Sequence, residues 1–291
     1  MFESNETCTF NIAPASHGHI LTLSCLDKSG IVRALTGFFA AAKLNVLDLQ
    51  QVSDLVSEKF LVRVHFGPTE TESTEHLKGP LDALAADVQL DWYRIRPVTR
   101  KLRTLILVSK IGHCLNDLLF RANSGQLPID IPLIVSNHNE YQGTAGNYGI
   151  DSHHLPVNKD TEDEREEAIL RLVKENDTKL VVLASYMQVL TSQLCAAMSG
   201  KIINIHHPFL PSFKGAKPYH QAYERGVKII GSTSHIVTAD LDEGPIIEQR
   251  VARIDHCMSP RMWSRKDSTF RASSGRYGRV DCRGACVPQQ D

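Results

Sequence analysis

"KIINIHHPFLPSFKGAKPYHQAY", residues 201–223, opens on an apolar run and places Asn204, His206 and His207 where that run ends. Isoleucines at 202, 203 and 205 read as a strand buried on both faces. Polar, titratable groups at the carboxyl end of such a strand stand where open α/β sheets hold their ligands. Residues two apart on a strand share a face, so Asn204 and His206 project together while Ile205 turns into the packing. An amide beside an imidazole can stabilise an oxyanion and position a nucleophile.

Upstream, apolar runs alternate with helical segments. "TLILVS" (104–109) is followed by a helix from 113, then "IPLIVSN" (131–137), "HHLPV" (153–157), a helix at 162–176, "KLVVLAS" (179–185) and a helix at 191–199. Near-continuous Val, Ile and Leu runs between helices predict a doubly wound, mostly parallel α/β sheet. The helix in "DTEDEREEAILRLVKEN" (160–176) reads as a surface helix with a charged face and no functional residue. Downstream, "GSTSHIVTADLDEGPIIEQ" (231–249) gives one more apolar run and then an acidic turn. A carboxylate on that turn can meet the imidazole and act through water as a general base, with His235 orienting it. Two plainer readings stay open: a satisfied strand-end histidine and an ordinary hairpin turn. So does a metal site built from His206, His207 and His220, although adjacent strand residues face opposite ways.

The first hundred residues follow another pattern. "HILTLSC" (19–25), a helical "IVRALTGFFAAAK" (31–43), the alternating "LNVLDLQQVSD" (44–54) and "EKFLVRVHF" (58–66), a helix near 76–86 and "VQLDWYRI" (88–95) give β-α-β-β-α-β. That is the order of an α+β ferredoxin-like fold. The expected domains are 18–96 and 103–260, joined through the basic "RPVTRKLR" (96–103). From 261 to 291 the chain carries seven basic and three acidic residues and no periodicity. It reads as a solvated, disordered tail or a basic interaction arm, and the abrupt change suggests a shifted reading frame or an alternative exon.

A hydrophobic content of 42% with 22% charged residues is that of a soluble globular protein, and a net charge of -1 gives no electrostatic case for nucleic acid. No apolar run approaches the roughly 20 residues needed to cross a bilayer. Seven scattered cysteines and an acidic, polar start fit reduced thiols in the cytoplasm. Cys282 and Cys286 alone are a weak metal signal.

These residues together resemble the formyltransferase family that uses 10-formyltetrahydrofolate. The shared features are the Asn-x-His strand end, the Leu-Pro-Ser-Phe-x-Gly loop at 210–215 and the Asp-x-Asp-x-Gly-x-Ile-Ile turn at 240–247. The resemblance implies catalytic Asn204, His206 and Asp242. It also implies a folate pocket formed by Met187, Gln188, Val189 and Leu190 of "ASYMQVL" (184–190) with Asp240 and Leu241. No metal or cofactor is implied, since the folate is the substrate. Over residues of about 18 to 260, "CLDKSGIV", "LVSKIGHCLNDLLFR" and "GQLPIDIPLIVSNH" narrow the likeness to the formyltetrahydrofolate deformylases.

In that group the N-terminal part resembles an ACT domain, with Asp27, Lys28, Ser29 and Gly30 as a loop for an amino-acid effector. A homo-oligomer is the expected assembly. The first βα loop of the second domain decides between hydrolase and transferase. Phosphate-binding members need a Gly-rich cradle there, whereas this chain has Gly112, His113 and Cys114, one glycine followed by bulkier groups. Water is therefore the expected acceptor. The alternatives are a formyltransferase acting on a ribonucleotide, and a non-catalytic ACT sensor.

Overall fold

The computed structural model describes residues 17–67, 73–157, 162–206, 210 and 218–254. The chain divides into two compact units, Met1–Arg100 and Lys101–Asp291. His207, the rest of the 210–215 loop, Cys282, Cys286 and the tail at 261–291 lie outside the described residues.

The first unit contains β1 (His19–Leu26), α1 (Ile31–Ala41), β2 (Asn45–Asp54), β3 (Lys59–Gly67), α2 (Glu75–Val88) and β4 (Leu90–Pro97). Its sheet has the order β2-β3-β1-β4 and is antiparallel throughout. This is the expected ferredoxin-like arrangement. Ile31, Leu35, Phe38 and Phe39 of α1, and Leu77, Leu81, Leu84 and Val88 of α2, recur at helical spacing. They cover Leu21, Leu23 and Cys25 of β1 and alternate residues of β3. Each buried side chain of this size contributes about 1.5–3 kcal/mol. The closing strand begins later than its apolar pattern predicts. Val88 completes α2, and Gln89 ends the helix in the left-handed region at φ 56°.

The second unit contains β5 (Leu102–Val108), α3 (His113–Asn123), β6 (Ile129–Asp130), β7 (Leu133–Ser136), α4 (Gln142–Asn147) and β8 (Asp151–His154). It continues with α5 (Glu162–Glu175), β9 (Leu180–Leu183), α6 (Ser192–Ala197), β10 (Ile202–His206), α7 (Pro218–Glu224), β11 (Ile229–Ile236) and β12 (Ile246–Arg253). Its main sheet runs β12-β11-β10-β9-β5-β7-β8, with β6 paired to β5. Strands β8, β7, β5, β9 and β10 are parallel, whereas β11 is antiparallel to both β10 and β12.

Both faces of this sheet are covered, as continuous apolar strands require. Ile106, Val108, Ile203 and Ile205 pack with Leu115 and Leu119 of α3. Leu105, Leu107, Val181, Leu183 and Ile202 pack on the other face with Ile169 of α5 and Leu194 of α6. Three local expectations change. The strand expected at 153–157 lies at Asp151–His154, where it pairs with β7. The short α4, "QGTAGN", carries no apolar period and was not expected. Helix α5 is more than a solvated surface element, because Arg165 and Glu166 are buried along with Ile169 and Val173.

The chain order sets the place of a site. From β5 the chain winds outward through β7 and β8, then returns to add β9 on the opposite side of β5. The loops leaving β5 and β9 therefore diverge at a topological switch point, where ligands of open α/β sheets bind.

Candidate functional site

The β5 and β9 loops are tied together at this switch point. The Ala184 N–H donates to the Leu107 carbonyl at 2.8 Å, and the Met187 N–H donates to Ser109 Oγ at 2.9 Å. Ser185 takes the left-handed conformation at φ 61°, a strained choice for a residue with a side chain. The segment of Met187, Gln188, Val189 and Leu190 leaves from this knot, with Met187 and Val189 exposed and Leu190 buried.

One strand further along, Asn204 and His206 lie on the α5/α6 side of β10. Asn204 sits directly opposite His235 of β11 in the antiparallel register. The Asn204 Nδ2 and His235 Nε2 atoms are 3.3 Å apart, and His235 Nδ1 is 2.9 Å from the Ile236 carbonyl oxygen. A carbonyl only accepts, so Nδ1 donates to it, and in that tautomer Nε2 offers a lone pair. That lone pair must receive an amide N–H, which turns Nδ2 of Asn204, not Oδ1, toward the histidine. His235 thus fixes which way the Asn204 amide points.

The carboxylate comes from the hairpin between β11 and β12. Asp242 Oδ1 lies 3.4 Å from His206 Nδ1 and 3.7 Å from His235 Nε2. The Asp242 side chain is 6% exposed, against 16% for His206 and 3% for His235. The two imidazoles stand edge to face, with centroids 6.3 Å apart. Asp242 has φ 59°, a conformation that Asp tolerates better than most residues. The turn returns against β11 at Gly244, where a Cβ would lie 1.8 Å from the Ile236 carbonyl oxygen. Only glycine fits that approach, which the Ile236 N–H closes by donating to the Pro245 carbonyl at 2.9 Å. A β-bulge between Ser234 and His235 in the β11–β12 pairing lies beside the cluster, a common place for one.

The same hairpin walls a cavity of about 430 Å³. Cys195 and Ala196 of α6 line it from one side, and Val237, Thr238, Ala239 and Pro245 from the other. Burial pushes the Cys195 thiol up, and the negative charge of Glu166 adds to the shift, so this sulfur stays protonated at neutral pH. These wall residues were not legible as functional. They are small or apolar, and only the packing of α6 beside the hairpin brings them together.

Asn204, His206, His235 and Asp242 therefore meet. Asp240 and Leu241 are exposed on the outer part of the hairpin. Met187, Gln188, Val189 and Leu190 form the neighbouring loop and are not among the residues lining the cavity. In the β5 loop, Gly112 precedes α3 and is overlain by Tyr141, whose ring would meet an added Cβ at 2.5 Å. The Tyr141 hydroxyl donates to the Lys110 carbonyl at 2.7 Å. His113 begins α3, and buried Cys114 accepts a hydrogen bond from Ser185 Oγ at 3.5 Å. In the first unit, Gly30 has φ 94° and precedes α1, and Lys28 Nζ donates to Gln89 Oε1 at 3.2 Å. Asp27 donates its N–H to the Glu58 carbonyl, and Ser29 is exposed in the same turn.

Among the described residues no group of three or more His, Cys, Asp or Glu side chains could hold a metal ion. No described helix is long and apolar enough to cross a membrane.

The fold and cluster define a class. The formyl transferase family model matches residues 102–266, from the start of β5 to beyond β12. A formyltetrahydrofolate deformylase from Corynebacterium sp. (strain P-1) is 45% identical over 269 residues, covering 91% of this chain and 93% of the relative. The solved formyltetrahydrofolate deformylase of Burkholderia mallei is 40% identical with a TM-score of 0.81, covering 90% of this chain and 92% of that one. A phosphoribosylglycinamide formyltransferase from Anaplasma phagocytophilum is 33% identical with a TM-score of 0.55, but covers only 62% of this chain and 86% of its own. The chain belongs to the formyltetrahydrofolate deformylase family, within the formyl transferases.

Proposed function

We propose that this chain hydrolyses 10-formyltetrahydrofolate to formate and tetrahydrofolate. The observation that carries the reading is the meeting of an amide and an imidazole on β10 with a carboxylate on the hairpin that also walls the cavity. The folate enters that cavity, whose volume falls in the range of about 300–1,000 Å³ usual for small ligands. Asp242 holds a water against the formyl carbon and takes its proton as the C–O bond forms. Charge then develops on the formyl oxygen, where Asn204 Nδ2 and the His206 imidazole stabilise it. Each such donor lowers the barrier by about 3 kcal/mol. The intermediate collapses by breaking the bond to N10, which takes a proton from the cluster. No metal or cofactor enters the reaction. Release of formate by the purified protein tests the assignment.

His235 acts through Asn204. Replacing it with Phe removes the acceptor that directs the amide, and kcat should fall about tenfold, less than for loss of an oxyanion donor. His235→Gln can offer a side-chain oxygen and should recover part of the loss. Equal rates for the Phe variant and the parent would remove His235 from the mechanism.

The acceptor is water, not a ribonucleotide. The β5 loop has a single glycine, which Tyr141 overlies, and then His113 and Cys114. That composition gives a poor phosphate cradle. With glycinamide ribonucleotide and 10-formyltetrahydrofolate both present, mass spectrometry should find formate and no competitive formylation. Appreciable formylated ribonucleotide would move the assignment to a transferase.

In a cytoplasmic setting this activity balances one-carbon carriers and supplies formate toward purine biosynthesis. The first unit serves as an ACT-type regulatory module, with an amino-acid effector at Asp27, Lys28, Ser29 and Gly30. The working protein is a homo-oligomer.

A further inference from the structure

Helix α5 sends a carboxylate inward to the segment that joins the Met187 loop to α6. Glu166 is 4% exposed and lies on the same helical face as Ile169 and Val173. Its Oε1 accepts from the Thr191 backbone N–H at 2.8 Å, and its Oε2 accepts from the Thr191 hydroxyl. Thr191 is itself the N-cap of α6, where its Oγ1 accepts from the Leu194 N–H. A carboxylate has no proton to give, so it dictates that the Thr191 hydroxyl points its hydrogen at Glu166. The hydroxyl lone pairs are thereby turned to Leu194. One buried side chain thus fixes the end of the 187–190 loop and the start of the helix that walls the cavity. The loop's other end is held by Ser109 through the Met187 N–H.

We propose that Glu166, acting through Thr191, is a positioning residue for the folate-binding wall. It touches none of Asn204, His206 or Asp242, and so bears on folate affinity and not on the chemical step. The inference rests on the deformylase reading above. Loss of a positioning interaction that serves ground state and transition state alike raises KM and leaves kcat alone.

The test measures KM and kcat for 10-formyltetrahydrofolate, and Kd for tetrahydrofolate by fluorescence, alongside the melting temperature. Glu166→Gln introduces a donor where both partners donate, and Thr191→Val removes the hydroxyl. Each should raise KM and Kd about tenfold with kcat within about twofold, given the usual strength of hydrogen bonds to charged groups. Thr191→Ser keeps both donors and should match the parent. The double variant should be no weaker than the worse single, because the two changes break one network. A parent protein that neither binds nor hydrolyses the folate overturns the functional reading itself. An active parent whose Glu166→Gln variant melts lower but keeps its KM and Kd overturns this inference alone, as does a fall in kcat with KM intact. If Glu166→Gln does not fold, Thr191→Val decides by the same two criteria.

Discussion

Asp242→Asn should lower formate release by at least about 100-fold while tetrahydrofolate still binds with an affinity close to that of the parent. The carboxylate is nearly buried, with Oδ1 between His206 Nδ1 at 3.4 Å and His235 Nε2 at 3.7 Å. An amide of the same shape fits this space but cannot take a proton from water. Binding survives because the cavity wall is built from α6 and the hairpin backbone, which the change leaves alone. Near-normal turnover by this variant would remove Asp242 as the base.

Gly244→Ala should cost about 100-fold in kcat/KM and lower the melting temperature. The added Cβ would sit 1.8 Å from the Ile236 carbonyl oxygen and 2.9 Å from its carbon. Backbone at the end of a paired strand cannot retreat that far without breaking the bond from Ile236 to Pro245. The hairpin must move instead, and it carries both Asp242 and Pro245 of the cavity wall. Misplacement of a catalytic group by about 1 Å is enough to lose about two orders of magnitude. Here kcat and KM should both worsen, whereas Asp242→Asn affects kcat alone. A Gly244→Ala protein with the parent's rates would mean that the hairpin is not held as the structure has it.

The candidate cluster was legible because its chemistry is local to short segments. Asn204 and His206 share a face by strand period alone, and the acidic turn before Gly244 announces itself by composition. The ferredoxin-like order of the first unit followed from apolar periodicity in the same way. What could not be read depends on which segments become neighbours. That β11 runs against β10, so that His235 faces Asn204, is a matter of register across 31 residues. Glu166 stands in a run of charged residues whose exposed and buried members have the same composition. Only the docking of α5 on the sheet separates them. Cys195, Thr238 and Ala239 carry no chemical signature, and their value lies in the space they leave. Tyr141 follows a segment without apolar period, yet its ring lies where a Cβ at position 112 would stand.

Hydrolysis by water is the central claim, and the origin of the formate oxygen tests it most directly. The purified full chain is given 10-formyltetrahydrofolate in water enriched in oxygen-18, and the products are followed by mass spectrometry. Water attack on the formyl carbon predicts one labelled oxygen in each formate released and one tetrahydrofolate formed with it. Absence of formate, or appearance of the formyl group on another acceptor in place of labelled formate, would contradict the account.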